Sequence, residues 1–204
     1  MKRVVFITLV ALGLCASHLS AVADVKIGAP APEFTATDDH GVSHKLSDFR
    51  GKFVVLEWHN NGCPYVQKHY NSGSMQALQK TWTDKGVAWL TIVSSAPGLQ
   101  GYVTPEQSQT YVKQMKASPT AVLLDPTGAV GHLYDAKTSP QMIVIDPKGV
   151  VIYNGAIDNR PTPDPSSLTG ATNYVNQTLT EALAGKPVST PVSVPYGCTI
   201  KYKN

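Results

Sequence analysis

Apolar and polar positions change period several times along the chain, and each change marks an element. From Glu33 to Thr37 they alternate, which predicts a short edge strand ending in the turn Asp38-Asp39-His40-Gly41. Ser47-Asp48-Phe49-Arg50-Gly51 reads as a compact polar turn leading into Lys52 to Trp58. There Phe53, Val54, Val55 and Leu56 run unbroken, as in a strand buried on both faces, and this is the first central strand. His59-Asn60-Asn61-Gly62 follows as a loop, and Cys63-Pro64 opens a helix with proline at its first position, where the missing N–H costs nothing. The pattern falters at Asn71-Ser72-Gly73-Ser74, resumes from Met75 to Asp84, and stops at Gly86. Val87 to Val93 is a second central strand.

Beyond it, Thr104-Pro105-Glu106-Gln107 combines an N-cap side chain, a first-turn proline and a Gln three residues on, so a helix runs to about Lys116. Strand, helix, strand, helix in this order predicts parallel pairing and an α/β fold. Ala121 to Leu124 is a short strand, and Asp125-Pro126-Thr127-Gly128 starts a turn or short helix. Gln141 to Ile145, the turn Asp146-Pro147-Lys148-Gly149 and Val150 to Tyr153 make a hairpin, so the sheet is mixed. Ala171 to Ala184 is the last helix, with Tyr174, Val175, Leu179 and Leu183 near helical spacing and Gly185 as its stop. The tail from about Lys186 to Asn204 has no helical period, and the chain contains no internal repeat.

The first residues follow a different logic. Lys2 and Arg3 precede a continuous apolar or small-residue run from Val4 to Cys15, and Ala21-Val22-Ala23 offers the small residues of a cleavage site. The run is shorter than the about 20 residues needed to span a bilayer, so a cleaved signal is expected over residues 1–23 rather than a stable membrane insertion. A single domain then occupies residues 24–204, in the periplasm or secreted. Of 204 residues, 17 are Lys or Arg and 14 are Asp or Glu; without Lys2 and Arg3 the balance is 15 to 14. No clustered basic surface emerges, which argues against nucleic acid as a partner.

Loss of the signal also removes Cys15 and leaves Cys63 and Cys198. In an oxidising compartment such a pair is either a structural bridge or a redox couple. A domain of this length buries a core without a staple, so a bridge is not required for folding. Cys63 sits between a buried strand and a helix start, where unpaired backbone donors and the helix dipole favour a thiolate, the reactive species. Read plainly, a lone cysteine there is a small buried hydrophobe; the helix-opening Cys-Pro after glycine favours the nucleophile. Ser139-Pro140 enters a strand after a turn, where either proline isomer fits.

Together these residues carry a resemblance. Gly28-Ala29-Pro30-Ala31-Pro32-Glu33-Phe34, Leu46-Ser47-Asp48-Phe49-Arg50-Gly51-Lys52, Cys63-Pro64, Ser139-Pro140, Ile143-Val144-Ile145-Asp146 and Gly149-Val150-Val151-Ile152-Tyr153-Asn154-Gly155 are arranged as in the redoxins. The chain resembles the alkyl hydroperoxide reductase/thiol-specific antioxidant group and its peroxiredoxin-like relatives over nearly all of residues 24–204. Gly197-Cys198-Thr199-Ile200-Lys201-Tyr202 resembles the ending of one bacterial subgroup. The resemblance implies a thioredoxin-like fold, a mixed sheet flanked by helices, a reactive Cys63 and a cis Pro140 lying against it. It also implies an antioxidant or thiol-disulfide exchange enzyme acting on a peroxide or a protein disulfide, recharged by an external thiol reductant and needing no cofactor. Two positions depart from the group: Val66 stands where Cys-x-x-Cys proteins carry their second cysteine, and Asn60 where peroxiredoxins carry threonine.

Cys198 is then the resolving partner, and Asn60 is a donor toward the thiol. Arg160 or Arg50, the arginines that remain after Arg3, supplies a nearby cation. The rival is a non-catalytic domain of the same fold, binding a peptide or copper, with a structural Cys63–Cys198 bridge. His59, Cys63 and His69 are too irregularly spaced for a convincing metal site, so no metal is expected and the histidines read as solvated. Asp158 and Asp135 read as surface residues. Asn176-Gln177-Thr178 matches a glycosylation acceptor but falls on a predicted helix.

Overall fold

The computed structural model describes residues 25–203, so the export signal expected over residues 1–23 lies outside the described residues. Strand β1 (Thr35–Asp38) pairs with β2 (Ser43–Lys45) through the turn at Asp38–Gly41, and a 3-10 turn at Leu46–Phe49 leads to β3 (Val54–Trp58). Helices α1 (Pro64–Asn71) and α2 (Ser74–Thr83) are separate because Gly73 takes φ +78, a left-handed conformation that breaks the helix where the sequence falters. Then come β4 (Ala88–Val93), α3 (Pro105–Met115), β5 (Ala121–Leu124) and the short α4 (Ala129–Leu133). Strands β6 (Thr138–Ser139), β7 (Gln141–Ile145) and β8 (Val151–Gly155), helix α5 (Tyr174–Leu183) and β9 (Cys198–Thr199) complete the described chain.

Seven strands form one sheet in the order β2-β1-β5-β4-β3-β7-β8. Strand β4 is parallel to both β3 and β5, while β7 is antiparallel to β3 and β8, so the expected mixed sheet is found. Alternate residues of each central strand enter opposite cores. Leu56, Leu90, Leu123 and Ile143 face one side with Phe34 and Tyr134; Val55, Trp89, Met142 and Val144 face the other, under α1, α2 and α5. Burial on both faces explains why these strands read as unbroken apolar runs, each large side chain contributing about 1.5–3 kcal/mol.

Two expectations need correction. Strand β1 is not an edge, because β2, too short and polar to show a period, takes that place. Helix α5 begins at Tyr174, since the Asn173 side chain accepts from Asn176 N–H and caps it there. As expected, the described tail carries no helix; what the sequence did not foretell is that β9 pairs antiparallel with β6 and that Val192 bridges to Asn154 on β8.

Candidate active site

Cys63 follows β3 across a four-residue loop and is the N-cap of α1, with Pro64 at the first helical position. Its N–H donates to Asn60 O (3.0 Å) in the preceding loop, and its own carbonyl accepts from Gln67 N–H (2.9 Å), a first bond of the helix. Two features differ from expectation. The residue has no exposed surface, and its sulfur makes no capping bond to the helix amides; instead Sγ donates to Ser139 O at 3.1 Å. Both follow from what covers it, namely the loop before Pro140 and the chain's own tail.

The Ser139–Pro140 bond is cis. Ser139 pairs with Cys198, and Thr138 with Thr199, in the β6–β9 ladder. Gly197, at φ +146, allows this approach: a Cβ there would lie 2.0 Å from Ser139 O. The ladder brings the half-buried Cys198 against Cys63, with both thiols free. Burial, then hydrogen bonding and charge from Cys63, push the Cys198 thiol up to about 12, with Lys201 pulling the other way. The two thiols are neighbours, one at a helix start and one on a returning strand, which makes them a candidate disulfide pair.

The remaining residues singled out in the sequence are placed differently. Asn60 is buried, but its amide nitrogen donates to Gln100 O (3.4 Å) and its oxygen accepts from Gly62 N–H (2.9 Å), so it shapes the loop rather than contacting the thiol. The exposed Arg160 directs its guanidinium to Gly170 O (3.5 Å). Arg50 bonds Lys148 O (2.7 Å) at the β7–β8 turn, the opposite end of β3 from Cys63. Neither guanidinium is thereby given to Cys63.

His59 and His69 are not solvated: they are 7% and 1% exposed. His59 packs between Tyr70 and Tyr111, while His69 Nε2 stands 3.6 Å from Asp158, so the two rings do not gather with Cys63 around a common point. Burial, helped by the Lys68 charge and opposed by Asp158, pulls His69 down to about 4. Asp158 is likewise buried, contrary to its reading as a surface residue. Its carboxylate is 3.4 Å from the buried ammonium of Lys68, and the Tyr196 hydroxyl donates to it. Asp135 is exposed and pairs with Lys137 at 3.0 Å. Asn176 is exposed on α5, whereas Thr178 of the same triplet is buried.

Glu57 escaped the sequence reading although it sits in the middle of the run that became β3. It is fully buried and accepts from Tyr70 Oη (2.8 Å), Trp89 Nε1 (2.7 Å), Gln79 Nε2 (3.1 Å) and Thr91 Oγ1 (3.1 Å). Burial would raise its pKa, but the adjacent His59 ring and donors from Trp89 and Tyr70 outweigh it and hold the carboxyl below the usual range. A lone acid inside an apolar run was the available signal.

Comparison with known proteins bears on the family and the fold. A thiol-disulfide oxidoreductase, ResA, of Geobacillus kaustophilus is 28% identical over 117 residues, spanning 52% of this chain and 67% of the relative. An uncharacterized conserved protein of the same organism shares 25% identity and superposes with a TM-score of 0.74 over 88% of this chain and 93% of its own. The thioredoxin domain of a thiol-disulfide oxidoreductase from Bacteroides vulgatus matches at TM-score 0.50 and 22% identity, over 64% of this chain and 89% of that domain, which shows the thioredoxin-like fold alone. Residues 27–154 match the AhpC/TSA family, so the chain belongs to that family, a redoxin on a thioredoxin-like fold.

Proposed function

We propose that the protein is an exported thiol-disulfide oxidoreductase that cycles between a Cys63/Cys198 dithiol and a Cys63–Cys198 disulfide. The observation that carries this reading is the β6–β9 ladder, which sets Cys198 beside Cys63 in a chain with no Cys-x-x-Cys. In the cycle, the Cys63 thiolate attacks a substrate disulfide, forming a mixed disulfide and releasing one substrate thiolate. Cys198 then loses its proton and attacks the Cys63 sulfur, which expels the second thiolate and leaves the internal disulfide. An external thiol reductant restores the dithiol. The purely structural alternative has less to support it, because the tail pairs with β6 and β8 while both thiols are free.

A second reading, peroxide reduction, is favoured by family membership together with a single cysteine at the helix start. There the thiolate cleaves the O–O bond, becomes a sulfenic acid and condenses with Cys198, releasing water. One assay separates the two: dithiothreitol-driven turnover of insulin disulfides against turnover of hydrogen peroxide, each with wild type, Cys63→Ser and Cys198→Ser. The proposal requires insulin reduction that Cys63→Ser abolishes; peroxide turnover without insulin reduction would replace it with the second reading.

A further inference from the structure

Around the thiol pair, one buried polar cluster has no part in the cycle described above. Lys68, in the second turn of α1, is 1% exposed; its Nζ donates to Arg160 O (2.7 Å) and Tyr196 Oη (3.2 Å) and lies 3.4 Å from Asp158. Tyr196 in turn donates to Asp158, and its ring meets Tyr65 edge-on at 5.7 Å. Tyr196 is two residues before Cys198, with the Gly197 pivot between them.

We propose that Tyr196 is the positioning residue of the couple, a latch seated on Asp158 and Lys68 that closes the tail over Cys63 and returns Cys198 to it after Cys63 has reacted. This rests on the reading of Cys63 and Cys198 as the redox pair. The tail is tied independently on either side of the latch. Before it, Ser193 Oγ accepts from Ala156 N–H (2.9 Å); after it, Ile200 N–H donates to Lys137 O (3.0 Å) and Tyr202 Oη to Ala136 O (2.7 Å). Residues 196–198 can therefore lift as a short bow while both flanks stay bound. Because Cys63 is completely covered, a disulfide reaches it only when that bow lifts. Once a substituent sits on Cys63 the bow is held open, and resolution waits for its return. A contact made only in the closed arrangement must then slow the first step and speed the second. Lifting Tyr196 removes the hydroxyl from a buried charged pair, which gives the latch more weight than a surface contact.

The reaction with 5,5′-dithiobis(2-nitrobenzoate) reads both steps in one trace. In a full-length Cys15→Ser background, the Cys63 thiolate attacks the aryl disulfide and releases one thionitrobenzoate. Cys198 then attacks the mixed disulfide, losing its proton to solvent and releasing the second. Tyr196→Phe keeps the ring and removes only the hydroxyl. It is expected to speed the first release and slow the second, each by roughly tenfold, the weight of one hydrogen bond to a charged partner. Unchanged phases, or two phases shifted in the same direction, would overturn the latch while leaving the redox couple intact. A wild type that releases a single equivalent and forms no Cys63–Cys198 link would overturn the redox reading itself, and the latch with it.

Discussion

Glu57→Gln tests the least visible support of the site. Glu57 and His59 alternate to the same face of the chain leading into the Cys63 loop, and the Glu57 carboxylate is the common acceptor for α1, α2 and β4 through Tyr70, Gln79, Trp89 and Thr91. Oε2 alone takes three of these bonds. A glutamine oxygen in that place keeps all three but makes them neutral, and a charged partner is worth about 1 kcal/mol more per bond, so the loss is about 3 kcal/mol at neutral pH. The amide nitrogen replaces Oε1 and cannot accept from Tyr70 Oη, whose other neighbour is the donor Gln79 Nε2, so the Tyr70 hydroxyl proton loses its acceptor and adds to the loss. Urea denaturation of the reduced proteins measures the difference. Its pH dependence carries a fixed sign: the folded-state pKa of Glu57 is lowered, so the stability it gives is complete above the ordinary glutamate pKa and is lost as pH falls through the lower, folded value. The gap between wild type and Glu57→Gln is therefore expected to narrow with acidification below about pH 4. A gap under about 1 kcal/mol at pH 7, or one that widens in acid, would refute a buried, ionised Glu57.

Gly197→Ala places a methyl 2.0 Å from Ser139 O, a backbone atom that cannot step aside, so the β6–β9 ladder should open and iodoacetamide should alkylate Cys63 at least roughly tenfold faster; an unchanged rate would contradict the covering role of the tail. Cys198→Ser should leave the reduced protein's stability almost unaltered, because its thiol is unlinked there, and with oxidised glutathione should release one glutathione thiol and trap the other as an adduct on Cys63 visible by intact mass. Thr104→Ala removes the cap that accepts from Gln107 N–H and should cost about 1 kcal/mol in urea melts with no change in thiol chemistry.

The parts of the fold legible in the sequence are those whose cause is local. Val54 to Trp58, Ala88 to Val93 and Gln141 to Ile145 announce themselves because burial on two faces leaves no room for polar residues, Glu57 apart. The Thr104–Gln107 capping box and the break at Gly73 are equally short-range. Strands β2, β6 and β9 were not legible: two or three residues carry no period, and β9 exists only because residue 199 meets residue 138. The same holds for polar burial. Asp158, His69 and His59 looked like surface residues because what shields them is distant in sequence, as Asp158 is from Lys68 and His59 from Tyr111. Cys63 was identifiable as chemistry from its helix-start position, but its cover was not, since the tail that hides it is encoded more than a hundred residues later.

Peptide mapping under non-reducing conditions, after one equivalent of oxidised glutathione is added to the reduced protein, bears most directly on the thiol pair as a working couple. The account predicts a single new cross-linked peptide joining Cys63 to Cys198, with two glutathione thiols released and the link reversed by dithiothreitol. A stable glutathione adduct on Cys63 in wild type, or two thiols left unmodified, would contradict it.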